Sequence, residues 1–162
     1  MARIGVTGHR CIPADALDNV HAGIRAQLRG GGAGGFDAAF SSLAAGADQI
    51  FAEVALGCGV PVTAVIPGAA DYGNRLGGMT AQVAYRRLLA SCADRVELPA
   101  ADTEEEAYLL AGRWIVDHVD RLVAVWDGCP ARGLGGTGDV VEYARLSGVP
   151  VVVVWSPGVR RA

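Results

Sequence analysis

Two apolar runs, residues 122–125 (LVAV) and 151–154 (VVVV), limit the possible folds of this chain more than any other feature, because neither shows polar alternation. A strand with one wet face alternates, so an unbroken run reads as a strand covered on both sides. Helices must supply that cover, and helical spacing follows the first strand-like segment. Residues 3–7 (RIGVT) lead through Pro13 and Asp15 into Leu17, Val20, Ile24 and Leu28, which recur at helical intervals. Further strands read at 37–41, 60–66 (VPVTAVI), 95–98, 121–126 and 150–155, with helices at about 48–58, 79–93, 103–119 and from near Gly138 to Ser147. Thr103 followed by Glu104, Glu105 and Glu106 reads as a capped helix start rather than a metal site. Strands that alternate with helices predict an α/β fold, a three-layer α/β/α Rossmann-like sandwich around a mostly parallel, doubly wound sheet. A length of 162 residues suits one core, so residues 1–162 are expected to form a single domain, with the glycine-rich 30–35 stretch as a loose surface loop.

In such a sheet the carboxyl ends of the strands share one rim, where ligands bind. That rim collects Gly8, His9 and Arg10 after the first strand, Ser42, Gly46, Ala47 and Asp48 after the second, and Pro67 after the third. Residues 67–78 read as a mobile loop over the site. After the fifth strand come Asp127 and the turn Gly135, Gly136, Thr137, Gly138 and Asp139. A glycine turn at the head of a helix offers backbone amides and a partial positive charge to an anion, phosphate being the leading choice. Arg10 can clamp such a group and His9 can donate to it, whereas His21 and His118 read as surface or helix-end residues. Asp139 would compete for the same amides, bind ribose hydroxyls or cap its own helix. Glu142, one turn into the helix, can face the ligand as a general acid or base or pack against the sheet edge.

Several chemistries lose support. Residues 5–8 (GVTG) lack the G-x-G-x-x-G spacing of a dinucleotide fingerprint, and neither a G-x-S-x-G elbow nor a Walker lysine occurs. No cofactor or metal is expected. Cys11, Cys58, Cys92 and Cys129 are scattered and read as reduced packing residues. With 14 Lys plus Arg against 17 Asp plus Glu, the net charge of −3 predicts no nucleic-acid and no membrane partner. The start lacks a signal core, and no apolar run reaches the roughly 20 residues that span a bilayer, so the cytoplasm is the expected location. Hydrophobic residues make up 51%, which points to an apolar surface left for a second copy and hence to a homodimer or higher homo-oligomer.

Taken together, residues 4–10 (IGVTGHR), 42–48 (SLAAGAD), and 126–128 (WDG) through 135–139 (GGTGD) resemble the SLOG superfamily of Rossmann-like domains, nearly end to end. That superfamily includes the LOG phosphoribohydrolases, DNA-processing protein DprA, molybdenum-cofactor carriers and domains that sense nucleotide-derived signals. The resemblance implies a parallel sheet between helices, with the ligand at the glycine turn. The LOG motif G-G-x-G-T-x-x-E is matched at Gly135, Gly136, Gly138 and Glu142, while Asp139 stands where that family has threonine. By this resemblance Glu142 would support cleavage of the N-glycosidic bond of a nucleoside monophosphate. The catalytic arginine of LOG enzymes has its nearest counterpart in Arg113, which lies off register. The GHR and WDG segments look closer to bacterial SLOG members for which ligand sensing is inferred. The expectation is therefore a domain that binds a nucleotide-like small molecule. The alternatives are a phosphoribohydrolase and a non-catalytic homo-oligomeric scaffold.

Overall fold

The computed structural model of the chain describes residues 2–30, 35–131, 133 and 135–160. Most of the glycine-rich 30–35 loop, residues 31–34, lies outside the described residues. Six strands, β1 (Arg3–Gly8), β2 (Ala38–Ser41), β3 (Val62–Ile66), β4 (Asp94–Glu97), β5 (Arg121–Val125) and β6 (Val151–Val154), form one sheet in the order β4-β3-β2-β1-β5-β6. Every pairing is parallel, so the sheet is parallel throughout rather than mostly so. Five helices connect the strands: α1 (Ala14–Arg29), α2 (Ala47–Gly57), α3 (Met79–Ser91), α4 (Glu104–His118) and α5 (Thr137–Leu146). The architecture is the α/β Rossmann-like sandwich that the apolar runs predict.

Burial explains the layers. Ile24 of α1, Phe51 of α2 and Leu88 of α3 pack with Ile4, Val62 and Val123 on one face. Ile115 of α4 and Val140 of α5 pack with Phe40, Val65 and Leu122 on the other. Within β3, Val62 and Val65 therefore serve opposite cores, which is why that strand tolerates no polar alternation. The chain steps outward from β1 to β4, then returns through α4 to place β5 beside β1. Because right-handed crossovers in opposite directions put their helices on opposite faces, β1 and β5 part company at their carboxyl ends. A crevice opens there.

One local expectation changes. The 67–78 segment, read as a mobile loop, contains a 3-10 turn at Tyr72–Arg75 and two buried anchors, Tyr72 and Leu76. Its polar composition hid the packing: the Tyr72 ring stands edge-on to Tyr85 and its hydroxyl donates to the Ser42 carbonyl at 2.9 Å. The last long helix opens at Thr137, next to the expected start, with Gly136 as its N-cap. The capping expectation at Thr103 is met, since its hydroxyl accepts the Glu106 amide at 3.1 Å. Among the described residues no helix is long and apolar enough to cross a membrane.

Candidate functional site

The parallel register sets Gly8 level with Val125, so the chain leaves β1 and β5 side by side. His9 joins the two exits. Its amide donates to the Val125 carbonyl at 3.1 Å, and its own carbonyl accepts from Ala47 at the head of α2, also at 3.1 Å. That second contact requires a glycine at 46. Gly46 has a φ of +79°, and a Cβ there would lie 2.4 Å from the Arg10 carbonyl oxygen. Gly46 and Ala47 thus bring α2 against the β1 exit, and neither lines the crevice.

His9 is 8% exposed, and its ring stands edge-on to Trp155, with ring centroids 5.3 Å apart. Its Nε2 accepts from the Asp127 amide at 3.1 Å and lies 3.2 Å from Asp127 Oδ1, while Nδ1 lies 3.4 Å from the Thr137 hydroxyl. Asp127 Oδ1 also accepts from the Cys129 amide at 3.0 Å. The Asp127 carboxylate is therefore folded into its own turn and against His9, and it does not line the crevice.

The glycine turn forms as the sequence suggests, but its amides are not all free. Gly135, with a φ of +83°, sits so close to α4 that a Cβ would meet the Glu105 carbonyl oxygen at 2.8 Å. The Gly135 amide donates to Asp139 Oδ2 at 3.0 Å, which makes Asp139 a brace of the turn. The amides of Thr137 and Gly138, the first two residues of α5, find no acceptor among the described residues. They retain the capacity to hold an anion.

The crevice has a volume of about 620 Å³. Of the residues singled out from sequence, Gly8, His9, Arg10, Ser42, Asp48, Pro67, Gly135, Gly136 and Thr137 line it. Gly46, Ala47, Asp127 and Gly138 do not line it, and Asp139 lines the smaller hollow described next. Glu142 and Arg113 lie elsewhere, in a smaller hollow of about 250 Å³ between α4 and α5, where Arg113 also covers the Tyr143 ring. The structure does not bring those two residues to the glycine turn's crevice.

The opposite wall is one that motif reading missed. It comes from the start of α4 and from the Tyr72 turn: Glu104, Glu105, Tyr108 and Tyr72 line the crevice. The Arg10 guanidinium covers the Tyr108 ring at 4.4 Å, and the Tyr108 hydroxyl donates to Glu104. Burial and that carboxylate push the Tyr108 hydroxyl pKa up. A signal was present in the sequence, because the rim argument places the start of every helix that follows a strand at this edge. The acidic run was read only as a cap.

Asp48 lines the crevice from the first turn of α2. Burial pushes its carboxyl from 3.8 up to about 7, opposed by the Ala44 amide, which donates to Oδ2 at 3.3 Å, and by the Arg10 charge. Ser41 holds the loop between, its hydroxyl donating to the Asp48 carbonyl and accepting from the Leu43 amide. Among the described residues the crevice therefore combines the Arg10 cation, a carboxyl pushed up towards neutrality, aromatic surface and open amides. Such a set can bind a polar, planar, anion-bearing molecule.

No family model matches the sequence, and no curated protein matches it. Solved structures do. DNA processing protein A (DprA) from Streptococcus pneumoniae is similar over 94% of this chain and 50% of its own, at 16% identity and a TM-score of 0.63. DprA from Helicobacter pylori, described for its single-stranded DNA binding mode, is similar over 94% of this chain and 64% of its own, at 15% identity and a TM-score of 0.63. The molybdenum cofactor binding protein of Rippkaea orientalis follows over 94% and 75%, at 16% identity and a TM-score of 0.57. The chain spans about half to two thirds of the length of the DprA chains. It has a SLOG-type fold, the one these proteins share.

One expectation is corrected by this comparison. The acidic net charge was taken to exclude nucleic acid, yet the H. pylori neighbour of the same fold binds single-stranded DNA. Net charge averages over the whole surface, whereas a strand is held by a local groove and by stacking surfaces. The charge count alone excludes no such partner.

Proposed function

We propose that this SLOG-type domain binds a nucleotide or nucleotide-derived ligand in the crevice between the β1 and β5 exits, as a sensor or carrier of that ligand. The observation that carries the reading is the convergence on one 620 Å³ space of the open Thr137 amide, the Arg10 guanidinium and the Tyr108 ring. In this reading the ligand's phosphate lies at the head of α5, its planar group lies along the Arg10 and Tyr108 wall, and Asp48 meets its hydroxyl or ring-edge donors. The ligands named for the structural neighbours, single-stranded DNA and a molybdenum cofactor, support a ligand-binding role for the fold. Hydrolysis of an N-glycosidic bond by Glu142 is no part of the proposal, because Glu142 opens onto the other hollow.

Calorimetry with AMP, ADP-ribose, dinucleotides and a thymidine oligonucleotide tests it. Binding by at least one of these, weakened in Gly136→Asp, is expected, since a carboxylate at the turn repels the anion. Absence of binding across the panel would remove the reading. Release of free base from AMP, lost in Glu142→Ala, would favour the hydrolase instead.

A further inference from the structure

The Thr137 hydroxyl is set at the crevice by a buried chain of contacts that runs back through His9 to Asp127. His9 and Thr137 are 8% and 7% exposed, and both line the crevice. Three segments distant in sequence meet at this point: the β1 exit, the β5 exit and the first residue of α5. The hydrogen of the Asp127 amide is directed at His9 Nε2, so that nitrogen must present its lone pair. A neutral imidazole with an accepting Nε2 carries its proton on Nδ1. A proton on Nε2 as well would face the hydrogen of the Asp127 N–H, which already occupies that lone-pair direction. Nδ1–H is left to donate to the Thr137 hydroxyl oxygen, its partner at 3.4 Å.

A threonine hydroxyl has one hydrogen and two acceptor sites. With an acceptor site taken by His9, and His9 as its hydrogen-bond partner among the described residues, the hydroxyl hydrogen is available to an acceptor in the crevice. The opposite tautomer would reverse this arrangement, since Thr137 would spend its hydrogen on Nδ1 and offer the ligand only lone pairs, which repel an anion. We propose that His9 is a positioning residue: held as the Nδ1–H tautomer by the Asp127 amide, it turns the Thr137 hydroxyl into a hydrogen-bond donor aimed at the ligand's anionic group. The inference rests on the binding reading above and deepens it, because it assigns anion selection to a side chain and explains why a buried histidine stands between the glycine turn and Arg10.

The test has two independent readouts. Nitrogen-15 NMR of the intact protein, with imidazole-labelled histidine, is expected to show His9 neutral with the proton on Nδ1. An Nε2–H tautomer or an imidazolium at neutral pH overturns the proposal, with no variant needed. In calorimetry with AMP, Thr137→Val and His9→Gln are each expected to weaken binding by about tenfold, and the double variant no further, since both remove one unit. His9→Asn, whose amide can stand where Nδ1 stood, is expected to stay within about threefold of the wild type. Wild-type affinity in Thr137→Val, or additive losses in the double variant, overturns the proposal while leaving nucleotide binding intact. If AMP and the rest of the panel fail to bind, the binding reading falls and the ligand part of this inference falls with it, and the spectrum still decides the tautomer.

Discussion

The guanidinium of Arg10, at the exit of β1, lies over the ring of Tyr108 on α4, 4.4 Å from its centroid. This contact closes the crevice on its far side and holds a cation flat before any ligand arrives. A pre-set cation loses less entropy on binding than a free arginine.

Arg10→Ala is therefore expected to weaken AMP binding by about tenfold or more, because a charge-assisted contact to the phosphate is lost. Tyr108→Leu leaves the charge but removes its platform, and a loss of about threefold is expected. Calorimetry beside thermal melts separates these losses from unfolding. Equal affinities in all three proteins would show that this wall takes no part in binding.

Asp48 makes stability depend on pH. Its carboxyl titrates at about 7 in the folded chain against 3.8 ordinarily, so between those values the native state holds a proton that the unfolded chain has released. The stabilising contribution is complete below the lower value and is lost as pH rises through about 7. Asp48→Asn cannot ionise, so its stability relative to the wild type should rise between about pH 5 and about pH 8. Urea denaturation at the two pH values reads the difference, and a difference that stays flat across the range contradicts this account.

Gly46→Ala forces a Cβ to within 2.4 Å of the Arg10 carbonyl at a φ of +79°. A loss of more than about 2 kcal/mol is expected, with partial opening of the crevice as α2 and the β1 exit separate. Gly57→Ala, where a Cβ meets nothing within 4 Å and the residue ends a helix, serves as the contrast and should be neutral or stabilising by up to about 1 kcal/mol. Chemical denaturation of both variants decides the matter.

Thr103→Ala removes the oxygen that receives the Glu106 amide and should cost about 1 kcal/mol. Because α4 begins at the crevice, fraying there should also raise hydrogen exchange of the Glu105 and Glu106 amides, measured by mass spectrometry or NMR. Unchanged exchange would mean that packing against Tyr108, rather than the cap, secures this end.

The legible part of the site follows a pattern. Gly8, His9, Arg10, Ser42, Asp48, Pro67 and the head of the glycine turn all stand at the crevice, on the rim where a parallel sheet sends its strand exits. The direction in which each side chain faces was not legible. Asp127, on the same rim, turns to His9 and the Cys129 amide. Asp139 turns back to the Gly135 amide, and Glu142 points to a different hollow. Tyr72 and Tyr108, which no motif marks, supply the aromatic wall.

The sequence by itself determined the six strands, the five helices, their parallel stacking and the set of loops that reach the rim. Those features depend on periodicity and burial within short stretches of chain, where residues three or four apart, or alternate ones, share a face. Only the tertiary structure decided which side chains meet the ligand space. Those directions are fixed by pairs such as Arg10 with Tyr108 and His9 with Thr137, whose members are far apart in sequence and meet through the packing of α4 and α5 across the sheet.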